Sequence, residues 1–171
     1  MAKISEKQFI DVYNEYAEKI FKYCYFRVNS KEDAEDLASK TFMKTWDYIV
    51  NGKKIDQMRA FLYRVAHNAI IDFYKSRQRQ QEKEMSLDAF EDETIDIPDE
   101  TDFVKDIEIR NAIKDVQEKI KELPDNYGEI IILRYINDLS LKEIAEVTGL
   151  TENNATVRLH RATEALKKKI T

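Results

Sequence analysis

The chain has 171 residues, 43% of them hydrophobic and 36% charged, enough for one ordinary core or two small ones and too little for a large multidomain enzyme. Only 3 Gly and 2 Pro occur, against roughly 12 and 8 at average usage, which argues against turn-rich β folds and glycine-rich phosphate loops and in favour of helices. The net charge of -5 gives no argument for nucleic acid by itself, and the lone Cys24 cannot form an internal disulfide. No apolar run approaches the ~18 residues of a membrane span, and Met1-Ala2-Lys3-Ile4 opens no signal peptide, so the expectation is a reduced, cytoplasmic protein.

Ser5 and Gln8 have capping-box spacing, and Phe9, Val12, Tyr13, Tyr16, Ala17, Ile20, Phe21 and Cys24 then recur at helical steps, predicting a long helix with one apolar stripe. Ser30 opens a second helix, with acids in its first turn suited to the positive helix end, then Leu37, Ala38, Phe42, Trp46 and Ile49 before a stop at Asn51-Gly52. A third, from about Asp56 to Gln80, should bury Phe61, Leu62, Val65, Ala66, Ala69, Ile70 and Phe73. These three make one small bundle.

Residues 82–106 lack a sustained helical period, contain Pro98 and carry the run Glu91-Asp92-Glu93, which predicts an extended acidic connector. Beyond it, Ile107 to Leu123 reads as an amphipathic helix stopped by Pro124, and Tyr127 to Ile136 as a strongly apolar one. Ser140-Leu141-Lys142-Glu143 is a capping box opening a short helix that ends at Thr148-Gly149-Leu150, and a last helix runs from Glu152 to about Lys169. Ala145, four residues before Gly149, supplies the small residue and the free turn that a helix-turn-helix needs. The expected class is all-α: a helical bundle over 1–81, a flexible acidic linker over 82–106, and a four-helix domain with a helix-turn-helix over 107–171.

Charge follows the same division. Residues 1–81 carry 15 basic and 11 acidic side chains, 82–106 carry 2 and 11, and 107–171 carry 11 and 11. One tract therefore makes the protein acidic. Within 53–79, Lys53, Lys54, Arg59, Arg64, Lys75, Arg77 and Arg79 meet only Asp56 and Asp72, so that stretch can face phosphate.

A helix-turn-helix lays its second helix in the major groove, where polar groups near the start of that helix reach base edges. Asn153, Asn154, Thr156, Arg158, His160 and Arg161 are the available groups, with Ala155, Leu159, Ala162 and Leu166 on the opposite stripe. The competing reading is a solvated helix face. On the third helix, Arg64, His67, Asn68, Asp72 and Lys75 lie among Phe61, Tyr63, Phe73 and Tyr74, a mixture that can stack unpaired bases and hold a backbone. Phe61 and Phe73 keep the apolar stripe and read as core, leaving Asn68 and Tyr63 as the candidates. Glu32, Asp33, Glu35 and Asp36 cluster without a His at ligand spacing and suit a helix start better than a divalent cation. His67 and His160 have no Cys nucleophile beside them, and Cys24 sits on an apolar stripe. No catalytic residue, metal or cofactor is expected.

Together these blocks resemble the extracytoplasmic-function sigma factors, specificity subunits of bacterial RNA polymerase, over nearly the whole chain. Residues 33–42, DAEDLASKTF, are similar to the family's polymerase-docking helix, and residues 61–75, FLYRVAHNAIIDFYK, to its promoter-melting helix. Residues 123–135, LPDNYGEIIILRY, and 138–162, ending VRLHRA, are similar to the domain that reads the minus-thirty-five element. The resemblance implies that Asp33, Asp36, Leu37, Lys40 and Thr41 meet core polymerase. It implies that Asn68 receives a flipped base, that the loop from Asn51 through Lys53 and Lys54 to Ile55 surrounds it, and that Tyr63, Arg64, Asp72 and Lys75 lie on the same DNA face. Asn153, Asn154, Thr156, Arg158, His160 and Arg161 would meet duplex promoter DNA. It further implies an anti-sigma partner, no membrane insertion and a monomer when free. Ser39-Lys40 stands where the family often has Gln-Glu, and Thr156 and Thr163 replace frequent basic residues. A self-sufficient dimeric helix-turn-helix regulator is the alternative from another class, and a metal-dependent helical nuclease a more distant one.

Overall fold

The computed structural model describes residues 4–84 and 107–170, and the chain divides into two compact units. The expected connector lies outside the described residues apart from its first three positions. Those three continue a helix.

In the first unit, α1 (Glu6–Val28) starts at Ser5, whose hydroxyl accepts from the Gln8 N–H at 3.2 Å while Gln8 Oε1 accepts from the Ser5 N–H at 2.8 Å. This satisfies donors that the first turn leaves without helical partners. Asn29, left-handed at φ 57, ends α1, and Ser30 at once caps α2 (Lys31–Val50) by accepting from the Asp33 N–H. So short a turn folds α2 back along α1. Gly52, at φ 82, turns the chain toward α3 (Met58–Glu84).

The bundle core is Ile20, Tyr23 and Cys24 from α1, Ala34, Leu37, Phe42 and Ile49 from α2, and Leu62, Tyr63, Ala66 and Ile70 from α3. Thr41 and Thr45 are fully buried without orphaning a hydroxyl, because each donates to the carbonyl one turn earlier at 2.8 Å. Tyr23 meets Tyr63 edge to face at 5.5 Å, and the Tyr74 hydroxyl donates to the Arg27 carbonyl, tying α3 to the end of α1. The expected stripe on α3 is turned from the one observed: Tyr63 is core, while Phe61 and Phe73 are half-buried. The helix also outruns its expected end near Gln80, since Gln81, Glu82, Lys83 and Glu84 are all good helix formers.

The second unit contains α4 (Ile107–Lys121), α5 (Asp125–Ile131), α6 (Leu141–Thr148) and α7 (Glu152–Ile170). Gly128 of α5 lies so near α4 that a Cβ there would meet Ile120 Cγ2 at 3.2 Å. The segment expected as one helix over Tyr127–Ile136 changes character midway, passing from α5 into a π-helical turn over Ile132–Ile136. Its wider turn is closed by the Asn137 N–H on the Ile132 carbonyl and braced by Arg134, whose guanidinium donates to the Leu139 carbonyl at 2.9 Å. Ser140 and Glu143 form the expected capping box on α6, and Gly149 at φ 77 makes the turn into α7. Ile144, Ala145, Ala155 and Ala162 bring the two helices together over Leu133 and Leu139.

Burial pushes the Cys24 thiol up from 9.0 to about 12, against a smaller opposing pull from Arg27. The stability this contributes is fully present below about pH 9.0, where both states hold the proton, and is lost as pH rises toward about 12 because the unfolded thiol ionises first. Urea unfolding followed by Trp46 fluorescence should show that decline, and Cys24→Ala should lessen it without abolishing it, because burial pushes the Tyr25 hydroxyl up as well.

Candidate nucleic-acid interface

α6, the Gly149 turn and α7 form a helix-turn-helix in which the rotation of α7 is set by two small residues. Ala155 and Ala162 are fully buried, seven residues apart and therefore on one face. The opposite face then presents Asn153, Asn154, Thr156, His160 and Arg161 to solvent, with Arg158 half-buried at its margin. The Asn154 N–H is held by the Thr151 hydroxyl at 3.1 Å, so the first turn is capped without using the Asn154 side chain. Thr156 and Thr163 donate back to the Glu152 and Leu159 carbonyls at 2.9 and 2.7 Å, leaving their oxygen lone pairs as acceptors. Asn side chains and Arg158, His160 and Arg161 supply the donors that the threonines do not.

In the first unit, Arg64, Asn68, Asp72 and Lys75 are all exposed and follow one another at four, four and three residues, which places them in one row along α3. The structure brings the preceding loop to the head of that row. Lys53 Nζ lies 5.1 Å above the Tyr48 ring, and Tyr48 in turn packs on Phe61 at 4.8 Å. Asn51, Lys53 and Lys54 are exposed there. Sequence reasoning missed Tyr48, because its partner across the chain is visible only once α2 and α3 are packed.

Tyr63 is not on this surface. It is 1% exposed, with its ring against Tyr23, so the position expected to face DNA is instead a core position. Tyr63 immediately precedes Arg64, and one helical residue is a turn of about 100°, enough to carry it from outside to inside. The α2 candidates divide likewise. Asp36 and Lys40 are exposed and Asp33 is half-buried, whereas Leu37 is 3% and Thr41 0% exposed, the Thr41 hydroxyl being held on the Leu37 carbonyl. Leu37 and Thr41 are core residues of the bundle and do not share the exposed face of Asp36 and Lys40. Met43, 66% exposed, and Val50, 51% exposed, continue the Asp36 face at seven-residue steps. That spacing was the available signal for them. Among the described residues no three His, Cys, Asp or Glu side chains gather as a metal site would require.

Comparison with known proteins covers both units. The family model for Sigma-70 region 2 matches residues 12–80, and that for Sigma-70, region 4 matches residues 113–166. The chain is 33% identical to the ECF RNA polymerase sigma factor SigW of Bacillus subtilis, over 98% of this chain and 91% of that one. It is 32% identical to the RNA polymerase sigma factor YlaC of the same organism, over 94% and 91%. A solved structure of the sigma factor RpoE in complex with the anti-sigma factor NepR from Bartonella quintana shares the fold at a TM-score of 0.73 and 20% identity, covering 95% of this chain and 96% of that chain.

Tyr63 and Asn68, one inside and one outside on α3, should separate cleanly in stability. Tyr63→Ala is expected to cost the first unit about 3–5 kcal/mol by emptying a core position, while Asn68→Ala, at an exposed site, should stay within about 0.5 kcal/mol of the parent. Urea titration read by Trp46 fluorescence measures both.

Proposed function

This chain belongs to the extracytoplasmic-function sigma factors of the sigma-70 family, and from that premise we propose how its two units divide promoter recognition. As a sigma factor it serves transcription initiation by RNA polymerase and is a regulatory subunit, not an enzyme. The observation that carries the finer reading is the pairing, in one chain, of two differently built polar faces: the α7 face of a helix-turn-helix and the exposed α3 row beside an aromatic loop contact.

In this reading α7 enters the major groove of the minus-thirty-five element. Its position at the half-buried margin limits the rotamers of Arg158, so the guanidinium can make a paired contact to a guanine edge at small entropic cost. Asn153, Asn154, His160 and Arg161 serve bases and phosphates around it. The α3 row takes the minus-ten element after its strands part. An amide at Asn68 offers a donor and an acceptor to the edge of a base removed from the stack, and Lys53 and Lys54 hold the backbone around it. The opposite requirement, a surface for protein, falls to α2, where exposed Met43 and Val50 lie among Asp36, Lys40 and Asp47. An apolar centre ringed by charge is the usual anatomy of a docking site, and core polymerase is its partner here.

An anti-sigma factor, of the kind bound to RpoE in the structure above, completes the set of partners. No described helix is long and apolar enough to cross a membrane, and the site of action is the cytoplasm, where the polymerase is. The near-neutral second unit, in a chain of net charge -5, suits a subunit that gains promoter affinity only when polymerase spaces its two units. Co-purification with core polymerase followed by run-off transcription on genomic fragments tests the whole reading. A chain that ignores polymerase and binds a palindrome tightly alone would be a dimeric regulator instead.

Two substitutions test the division of labour. Asn68→Ala should leave polymerase binding intact and diminish the permanganate reactivity of unpaired thymines at the promoter. Arg158→Ala should weaken promoter binding by about 1–3 kcal/mol and relax preference at a single base pair; uniform weakening across all sequences would make it a phosphate contact.

A further inference from the structure

The middle of the outward face of α7 is apolar. Val157 is 41% exposed, although it stands on the helix proposed to enter the groove. It follows Ala155 by two residues and precedes Ala162 by five. At about 100° per residue this sets it about 200° around the helix from the first and about 140° from the second. Both alanines are fully buried, so Val157 points away from the core on either reckoning. Asn153 and Asn154 lie one turn before it, His160 and Arg161 one turn after, all four exposed. Seven residues on, Glu164 continues the same face, its carboxylate 3.5 Å from Lys167 Nζ, and a carboxylate there repels phosphate. A DNA-facing stretch that ends before that acid runs from 153 to 161, and Val157 is its centre.

A single exposed valine is ordinary on a protein surface and by itself needs no explanation. This one is set apart by its neighbours and its shape. Valine is a poorer helix former than alanine, and at so open a site burial does not offset that cost. Its two Cβ substituents hold it in essentially one rotamer within a helix. It therefore presents a fixed apolar knob, uncharged and too short to reach a phosphate, among side chains that are all polar. The edges shown in the major groove include one apolar group, the C5 methyl of thymine. The amine of cytosine and the ring nitrogens of the purines, pressed against an aliphatic side chain, lose water without gaining a partner.

We infer that Val157 is a specificity-determining residue of α7, selecting one thymine of the minus-thirty-five element through van der Waals contact with its C5 methyl. The polar groups around it fix the register and meet the neighbouring edges and phosphates, while Val157 disfavours a pair that offers no methyl at its position. The inference deepens the reading of α7 as the groove helix and rests on it.

The test uses holoenzyme reconstituted from core polymerase and the full chain, as parent and as V157A. The probes are fragments of a promoter recovered by run-off transcription, in which deoxyuridine replaces the thymidines of the upstream element one at a time, on either strand. Each replacement keeps the base pairing and removes the methyl alone. The parent should bind one of these fragments about fourfold more weakly than the unmodified promoter, the worth of one buried methyl-sized group. V157A should bind the unmodified promoter more weakly than the parent does, and bind that fragment as well as the unmodified promoter. Equal loss at the same position in both proteins would assign the methyl to DNA shape or to another side chain and overturn the inference, as would a parent indifferent to every replacement. Alanine raises the helix propensity of the site, so circular dichroism of V157A should show undiminished helix. A chain that does not join polymerase recovers no promoter, and then the function proposed above fails first.

Discussion

The rotation of each recognition helix about its own axis is the constraint from which the remaining features descend. In α3 that rotation is set by Tyr63, whose ring is driven edge-on against Tyr23, with Leu62, Ala66 and Ile70 filling the same side. An interior this closely packed tolerates no intermediate angle. Once Tyr63 points inward, Arg64, Asn68, Asp72 and Lys75 must point outward. In α7 the same task falls to Ala155 and Ala162, whose burial commits His160 and Arg161 to the far side and leaves Arg158 at the half-buried margin.

In the function proposed, the two units meet different recognition problems with different means. Paired bases present their edges in a groove that admits a helix, so a helix with short polar side chains near its start suffices. An unpaired base must be held away from its stack; in the function proposed, the loop that the contact of Lys53, Tyr48 and Phe61 sets beside α3 would serve that need. Threonine hydroxyls inside the helices of both units are satisfied locally. Thr41, Thr45 and Thr148 return their hydroxyl protons to the preceding turn of their own helix. These groups stabilise helices and leave recognition to exposed side chains.

Charge separates the roles further. A chain of net charge -5 gains little from long-range attraction to DNA, so binding depends on where the local cations stand. On α3 they stand in a row interrupted by Asp72, and on α7 they stand beside amides and hydroxyls rather than in a block. The docking face on α2 has the opposite character, with Met43 and Val50 set among acids and Lys40. In the function proposed, nucleic acid and protein therefore address different faces of the same small bundle.

Helix positions, the capping boxes at Ser5 and Ser140, the Gly149 turn and the all-α class were legible from the chain alone, because hydrophobic period and cap chemistry act within a few residues. The four family blocks were legible for the same reason, each being a contiguous stretch. Much of each inward stripe was legible too, Leu62, Ala66, Ala69 and Ile70 on α3 and Ala155 and Ala162 on α7 among them; what only tertiary packing decided was where the stripe's edges fall. Tyr63, Leu37 and Thr41 share their helices with true surface residues, and period alone cannot choose between stripes about 100° apart. Tyr48 against Phe61 and Tyr63 against Tyr23 depend on neighbours distant in sequence. Local pattern specifies a helix, whereas the rotation that exposes its functional groups is a property of the side chains packed against it.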